Sequence, residues 1–456
     1  MQRVGRACAA LTFVVALAGA GCDWRKFDDL KAKTPVAAIS APSNYPADGD
    51  FGPNLLAVPP PSDGSAAGRF VAAATYATSV AVVSFDASGN PSGVGVTGMA
   101  FDALAGGPIA SIALVPDKRQ VLLGAPTDTF GDALLMELDK PNPSGSPYPT
   151  TTFRPAVGEP QYGIGVGAGT IGGGAASDLV VLSQDTLHIY VDGLATTEAA
   201  RKWTGAADPC PLEFPLALPQ SNRAVIVEPL LGAGQIAVGT PVVSGTGHVT
   251  VFAVDLSVTP AVFTCPVVLI GSEAQFGRTM TLVDLDAPYG APDHLLVGAP
   301  PTHAYLYSLP LSAGQTPETV TDPEPMPNGQ FGASVAAFDI DGKPGDEMFI
   351  GNPDGSVGGT ATAGRVSVYT GSPPVLVPTT VAPNPLAEHD PSAGHGYGSG
   401  IAGLLFCPGN VGGGGADAGT GTSDGGVAAC KRLPIIGSLS MVYAYFTLNK
   451  SDPRVK

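Results

Sequence analysis

The chain has 456 residues and a formal charge of −17, which argues against a nucleic-acid partner, because a phosphate backbone demands a basic surface. Only 13% of its residues are charged while 44% are hydrophobic, so it is not a disordered chain with too little apolar surface to bury. With 61 Gly and 45 Pro among clusters of Val, Ile and Thr, the composition predicts an all-β protein of short strands and many turns.

The first element is a processing signal. Arg3 and Arg6 precede an apolar run, Ala7 to Ala20, that is too short to span a bilayer as a mature helix. The run ends in LAGAGC, closing on Cys22, and resembles the lipobox of bacterial lipoproteins. The resemblance implies that residues 1–21 are a signal peptide and that Cys22 becomes the acylated N-terminus. The protein would then be exported and lipid-anchored to a bacterial membrane, at the outer membrane or cell surface. Gly19 stands where such boxes usually place leucine, and an ordinary secretory signal is the alternative. Residues 22–49 have no clear period and are expected to form a flexible tether.

From residue 50 the chain repeats. Phe51-Gly52 precedes GRFVAAAT and SVAVVSFD; QVLLGAP, ending at Pro126, is followed by DALLMELD. Tyr162-Gly163 opens a unit with inner strand DLVVLS and then LHIYVDG. IAVGTP, ending at Pro241, leads into GHVTVFAVD. The fifth unit, AQFGRTMTLVDLDAPYGAPDHLLVGAP, carries Phe276-Gly277, Asp284 and Asp286, a strand ending in Gly298-Ala299-Pro300, and then HAYLYSLP. The sixth, QFGASVAAFDIDGKPGDEMFIGNP, repeats that order through Asp339, Asp341 and Gly351 into GRVSVYTG. GYGSG, PIIGS and SMVYAYFTL complete the seventh. Each complete unit reads strand, acidic turn, apolar strand, Gly-x-Pro, strand.

The spacing supports one period. Gly124 to Gly239 spans 115 residues over two units, Gly239 to Gly298 spans 59, and Gly298 to Gly351 spans 53. Gly351 to Gly437 spans 86, but the low-complexity stretch 408–429 between Cys407 and Cys430 reads as an insertion. The Phe-Gly start, acidic turn and Gly-Ala-Pro end resemble FG-GAP repeats, as in the head of integrin α-chains. The resemblance implies a seven-bladed β-propeller over 50–450, with 451–456 as a tail. A pair of β-sandwiches is the competing fold, but a period near 57 residues suits a blade better.

In that family the acidic turn is similar to D-x-D-x-D-G-x-x-D, which wraps calcium in oxygen ligands. The resemblance places Asp339, Asp341, Glu347 and the Gly345 carbonyl on ligand positions in one turn, and Asp284, Asp286 and Asp293 in another. Lys343, Pro344 and Pro288 depart from the pattern, and the Lys343 ammonium could fill the ring of oxygens instead. The alternative is that these carboxylates cap turns by accepting local backbone N–H groups. Either role is structural.

Cys8 leaves with the signal and Cys22 would be acylated, so Cys210, Cys265, Cys407 and Cys430 remain, an even number that favours disulfides in an exported protein. Of the three pairings, Cys210–Cys265 with Cys407–Cys430 is the local one. No Cys-x-x-Cys spacing suggests a metal cluster. GAGTIG, Gly167 to Gly172, matches a dinucleotide-binding pattern without a βαβ unit around it. The six histidines show no catalytic spacing, and GYGSG lacks the first glycine of a nucleophile elbow. Trp24 and Trp203 are too few for a tryptophan-docked quinone propeller. The expected function is therefore a non-catalytic adhesion or partner-binding module, a monomeric propeller with a protein or carbohydrate ligand. A structural component of an envelope complex and a hydrolase with a site in the propeller channel are the alternatives.

Overall fold

A computed structural model describes residues 36–42, 45, 50–61, 63–74, 79–98, 108–116, 118–127, 131–139, 148, 150–155, 159–171, 176–194, 198–202, 210, 225–228, 235–242, 246–273, 275–285, 292–326, 329–340, 345–355, 363–370, 377–383, 396–407 and 430–445. The signal peptide, Cys22, Trp24, Trp203, Asp286, Asp341, the insertion 408–429 and the tail lie outside these residues.

Among the described residues, twenty-eight strands form seven antiparallel four-stranded sheets. Strand β1 (Val36–Ser40) comes first in the chain but belongs to the last sheet. Blade 1 is β2 (Asn54–Val58), β3 (Gly68–Ala73), β4 (Ser79–Phe85) and β5 (Pro91–Gly98). Blade 2 is β6 (Ser111–Val115), β7 (Gln120–Pro126), β8 (Gly131–Glu137) and β9 (Thr150–Phe153). Blade 3 is β10 (Gly165–Gly169), β11 (Asp178–Leu182), β12 (Thr186–Tyr190) and β13 (Glu198–Lys202). Blade 4 is β14 (Val225–Glu228), β15 (Gln235–Thr240), β16 (His248–Asp255) and β17 (Val262–Ile270). Blade 5 is β18 (Met280–Val283), β19 (His294–Ala299), β20 (His303–Ser308) and β21 (Glu318–Thr321). Blade 6 is β22 (Ser334–Phe338), β23 (Glu347–Asn352), β24 (Arg365–Thr370) and β25 (Val377–Pro383). Blade 7 joins β26 (Gly400–Phe406), β27 (Lys431–Gly437) and β28 (Met441–Tyr445) to β1.

The first strands of successive blades neighbour one another around the ring, and β26 returns to β2. The protein is a closed seven-bladed β-propeller. Strands β3, β15, β19 and β23 are buried along their whole length, as expected where both faces of a sheet are covered. Each of the seven gaps between blades holds one apolar cluster. Phe70 and Phe85 of blade 1 meet Leu404 and Leu433 of blade 7, for example. A lone four-stranded sheet would leave both such faces in water, so the blades are stable only as a ring.

The tether expected over 22–49 ends early. Val36–Ser40 pairs with β28 from Val36↔Tyr445 to Ser40↔Met441, and Ile39 is buried in the cluster between blades 7 and 1. Without β1, blade 7 would lack its outer strand and the ring would be held shut only by side-chain packing. The propeller therefore includes Val36–Ser40, ahead of the start expected at residue 50.

The repeat motif has a steric cause. A Cβ placed on Gly351, at the end of β23, would lie 2.1 Å from the Gly398 carbonyl oxygen at the start of blade 7. Gly398 has φ +86°, and its N–H donates to the Gly437 carbonyl of its own blade at 2.8 Å. The same close approach joins Gly124 to Gly163, Gly239 to Gly277, Gly298 to Gly332 and Gly437 to Gly52. The glycine of four Gly-x-Pro ends, and Gly437 of Gly-Ser-Leu in blade 7, thus receives the glycine that follows the aromatic residue of the next blade. That aromatic residue fills the gap beside the contact: Phe51, Tyr162, Phe276, Phe331 and Tyr397 are all fully buried.

Both local disulfides are present: Cys210–Cys265 tethers β17, and Cys407–Cys430 closes the stem of the insertion, where β26 pairs with β27 at Phe406↔Lys431. Among the described residues, no helix is long and apolar enough to cross a membrane.

Candidate functional site

The axis of the ring is lined by the first strand of each blade. These strands read NLLAV, SIALV, GVGAG, VIVE, MTLV, SVAAF and GIAGLLF, so Glu228 is their sole titratable residue. Two hydroxyls of these strands are committed to the backbone: Ser111 donates to the Gly163 carbonyl at 2.9 Å and Ser334 to the Gly398 carbonyl at 2.6 Å. GAGTIG falls on β10 and the turn after it; the strand leads into β11, not into the helix that a dinucleotide fold requires.

Several ion pairs lie near the aromatic-Gly loops and the third strands. In blade 3, His188 on β12 lies between two carboxylates: Nε2 is 2.8 Å from Glu159 Oε2, and Nδ1 meets Glu198 Oε1. Its ring packs edge-on against Tyr162, whose hydroxyl is 2.5 Å from that of Tyr190. Burial opposes a charge on His188, but the hydrogen bonds and charges of Glu159 and Glu198 outweigh it and raise the pKa above the ordinary histidine value. Burial likewise works against ionised Glu159, yet His188 holds its pKa below the ordinary value.

Related ties recur in three other blades. Glu273 precedes Phe276 as Glu159 precedes Tyr162; it accepts the Tyr305 hydroxyl at 2.9 Å and lies 2.7 Å from His303 Nδ1. Buried Asp132 on β8 receives Arg154 Nε at 2.5 Å and Nη2 at 2.9 Å. Arg365 on β24, 1% exposed, donates Nη2 to both oxygens of Asp322 at 2.7 Å and Nη1 to Glu324 at 3.1 Å. Asn352, the middle residue of Gly-Asn-Pro, also donates to Asp322, at 2.9 Å. The ties at His188, Glu273 and Arg365 fix the loop that leads into a blade to the third strand of that blade. Arg154, on the segment after blade 2, is instead tied back to the third strand of blade 2. The individual pairs are not visible in the sequence, because they join positions 10 to 43 residues apart and use either polarity.

The acidic turns lie at the opposite end of the first strands. Glu347 accepts the Ile340 N–H at 2.9 Å and Asp293 accepts the Leu285 N–H at 3.0 Å. Asp178, at the same place in blade 3, accepts the Ile171 N–H at 2.8 Å. The carboxylate after each of these turns is therefore a backbone cap. The turns of blades 5 and 6 also clasp each other: the Asp346 N–H donates to the Asp284 carbonyl at 2.5 Å, and the Asp284 N–H donates to Asp346 Oδ2 at 3.1 Å. Gly345, with φ +95°, allows the approach; a Cβ there would lie 2.8 Å from the Leu285 carbonyl oxygen. Burial raises the pKa of Asp346, and the charges of Asp284 and Asp339 add to the rise. Among the described residues no three His, Cys, Asp or Glu side chains are grouped to hold a metal ion. Asp339, Gly345, Glu347, Asp284 and Asp293 are brought to one end of adjacent blades, while Asp286 and Asp341 fall outside the described residues.

Of the histidines, His188, His294 and His303 are each within hydrogen-bonding distance of a carboxylate; His389 and His395 lie outside the described residues. No family model and no curated protein matches the sequence. Among solved structures, the chain is similar to the propeller of Dos1, at 10% identity over 87% of this chain and 77% of that one, with a TM-score of 0.47. It is also similar to the Cps50 (Swd1) β-propeller domain of Myceliophteria thermophila, at 12% identity over 90% and 100%, TM-score 0.45. The WD40 β-propeller domain of Doa1 is 10% identical over 92% and 98%, TM-score 0.49.

Proposed function

We propose that the chain is an exported, lipid-anchored recognition module of the FG-GAP type, acylated at Cys22 and displaying a rigid propeller for a protein or carbohydrate partner. The observation that carries this reading is the axis: a closed ring whose first strands are mostly apolar in sequence leaves the loops and rim as the chemically varied surface. The glycine-on-glycine contact between blades gives the FG-GAP resemblance a structural basis, and the two disulfides suit an oxidising compartment. Calcium is carried as part of the proposal. It would be held by Asp339, Asp341, Gly345 and Glu347 in one turn and by Asp284, Asp286 and Asp293 in the other, with Glu347 and Asp293 already spending an oxygen on turn N–H groups.

Two experiments test the reading. Metabolic labelling with a fatty-acid analogue should mark the wild type and not Cys22→Ser; an unlabelled wild type would remove the anchor. An envelope-extract capture should recover a partner that is lost when the loops around Glu159 and Glu273 are exchanged. Turnover of ester, phosphate or glycoside probes by the purified chain would instead support the hydrolase alternative.

A further inference from the structure

Between blades 4 and 5 the outer rim opens into a cleft of about 410 Å³, within the size range of small-molecule sites. One wall is the end of β17, Val268 to Ile270; the other is Tyr305 and Tyr307 on β20, with Gly314 to Pro317 closing the base. That base is preformed. Gln315 donates Nε2 to the Ser308 carbonyl at 2.8 Å and accepts the Ser312 N–H at 3.1 Å, which pins the loop on both sides.

Tyr307 is only 3% exposed, yet its hydroxyl has no hydrogen-bond partner among the described residues. The ring is buried while the hydroxyl reaches the open cleft, where a ligand hydroxyl can take the place of solvent. Next to it, the Tyr305 hydroxyl is 2.9 Å from both Glu273 oxygens and 2.9 Å from Ser272 Oγ. Ser272 Oγ also donates to Glu273 at 2.8 Å, and His303 lies 2.7 Å away. The carboxylate is thus saturated with donors: it asks for no cation, and its charge disfavours an anion. What the cleft still offers is the Tyr307 hydroxyl, the Ser272 oxygen as an acceptor and an apolar lip at Ile270, which is 64% exposed.

We propose that this cleft binds a neutral saccharide, whose hydroxyls accept from Tyr307 and donate to the hydroxyl oxygens of Tyr305 and Ser272. The competing occupant is an extended peptide, since β17 is an outer strand with one unpaired edge. Pro266 lacks an N–H and Cys265 is tied to Cys210, so only Val267–Ile270 remains for a ladder. The saccharide assignment rests on the recognition-module reading and names its ligand class.

The test is titration calorimetry of the full chain with maltotriose, cellotriose and tri-N-acetylchitotriose, using wild type, Tyr307→Phe and Ser272→Ala. At least one sugar should bind, and Tyr307→Phe should weaken it about five- to tenfold, the loss of one hydrogen bond. The melting temperature of Tyr307→Phe should equal that of wild type, because its hydroxyl has no partner to lose. No binding by any of the three sugars, affinity indifferent to Tyr307→Phe, or a lowered melting temperature in that variant would each overturn the proposal. Capture from an extended-peptide library that Tyr307→Phe abolishes would reassign the cleft to peptides. A protein that ignores all three sugars but still captures a partner through the loops around Glu159 and Glu273 would lose this inference while keeping the module reading.

Discussion

Gly351 of blade 6 and Gly398 of blade 7 touch backbone to backbone: a methyl group on Gly351 would sit 2.1 Å from the Gly398 carbonyl oxygen and 2.2 Å from Ser334 Oγ. The Ser334 hydroxyl donates to that same carbonyl at 2.6 Å, so the contact is polar as well as tight. Gly351→Ala should therefore push two blades apart and cost about 3 kcal/mol. Gly314→Ala is the control. That glycine has φ +72° but nothing within 4 Å of an added Cβ, so backbone strain alone should cost about 1–2 kcal/mol. Urea midpoints at equal slope measure both; equal losses would refute the steric account.

The pH response of blade 3 follows from Glu159, His188 and Glu198. His188 has a raised folded pKa, so its contribution is complete below about 6.5 and is lost as pH rises through the folded value. Glu159 has a lowered folded pKa, so its contribution is complete above about 4.3 and is lost as pH falls through the folded value. The window between those limits should show the largest difference in melting temperature between wild type and His188→Gln. Lys202, Tyr162 and Tyr190 also face the cluster and stay the same in both proteins. A difference that is flat from pH 4 to pH 9 would contradict the charged imidazole.

Glu347 separates capping from cation binding. If the carboxylate accepts the Ile340 N–H, Glu347→Gln should keep that bond, while Glu347→Ala should lose about 1–2 kcal/mol. Melting in calcium against melting in chelator tests the ion itself. The expected result is a rise with calcium that Asp339→Asn removes, because a ligand bound only to the folded state must stabilise it. Superimposable curves would leave the backbone cap as the sole role of the turn.

The two disulfides should contribute unequally. Cys210–Cys265 spans 55 residues and Cys407–Cys430 spans 23. On loop-entropy grounds, removal should cost about 4 kcal/mol for the first and about 3 kcal/mol for the second. Double serine variants compared by urea denaturation give the order; a larger loss from Cys407 and Cys430 would point to strain released or contacts broken at the insertion stem.

By itself the sequence determined the seven-unit period, the buried apolar strands and the glycines at both ends of each unit, and it left three cysteine pairings of which the structure has the local one. These are legible because strand alternation, positive φ and short loops are properties of neighbouring residues. The outer strands were not legible: β13 reads EAARK and β9 reads TTTF, with one face in water and no apolar run. Only the tertiary structure decided that Val36–Ser40 leaves the tether to pair with Tyr445, and that Glu159 meets His188 while Glu273 meets Tyr305. It alone set Tyr307 beside an open cleft. Those relationships depend on how one blade is stacked and closed upon another, and a charged or hydroxyl group carries no mark in its local sequence of the partner that the ring will bring to it.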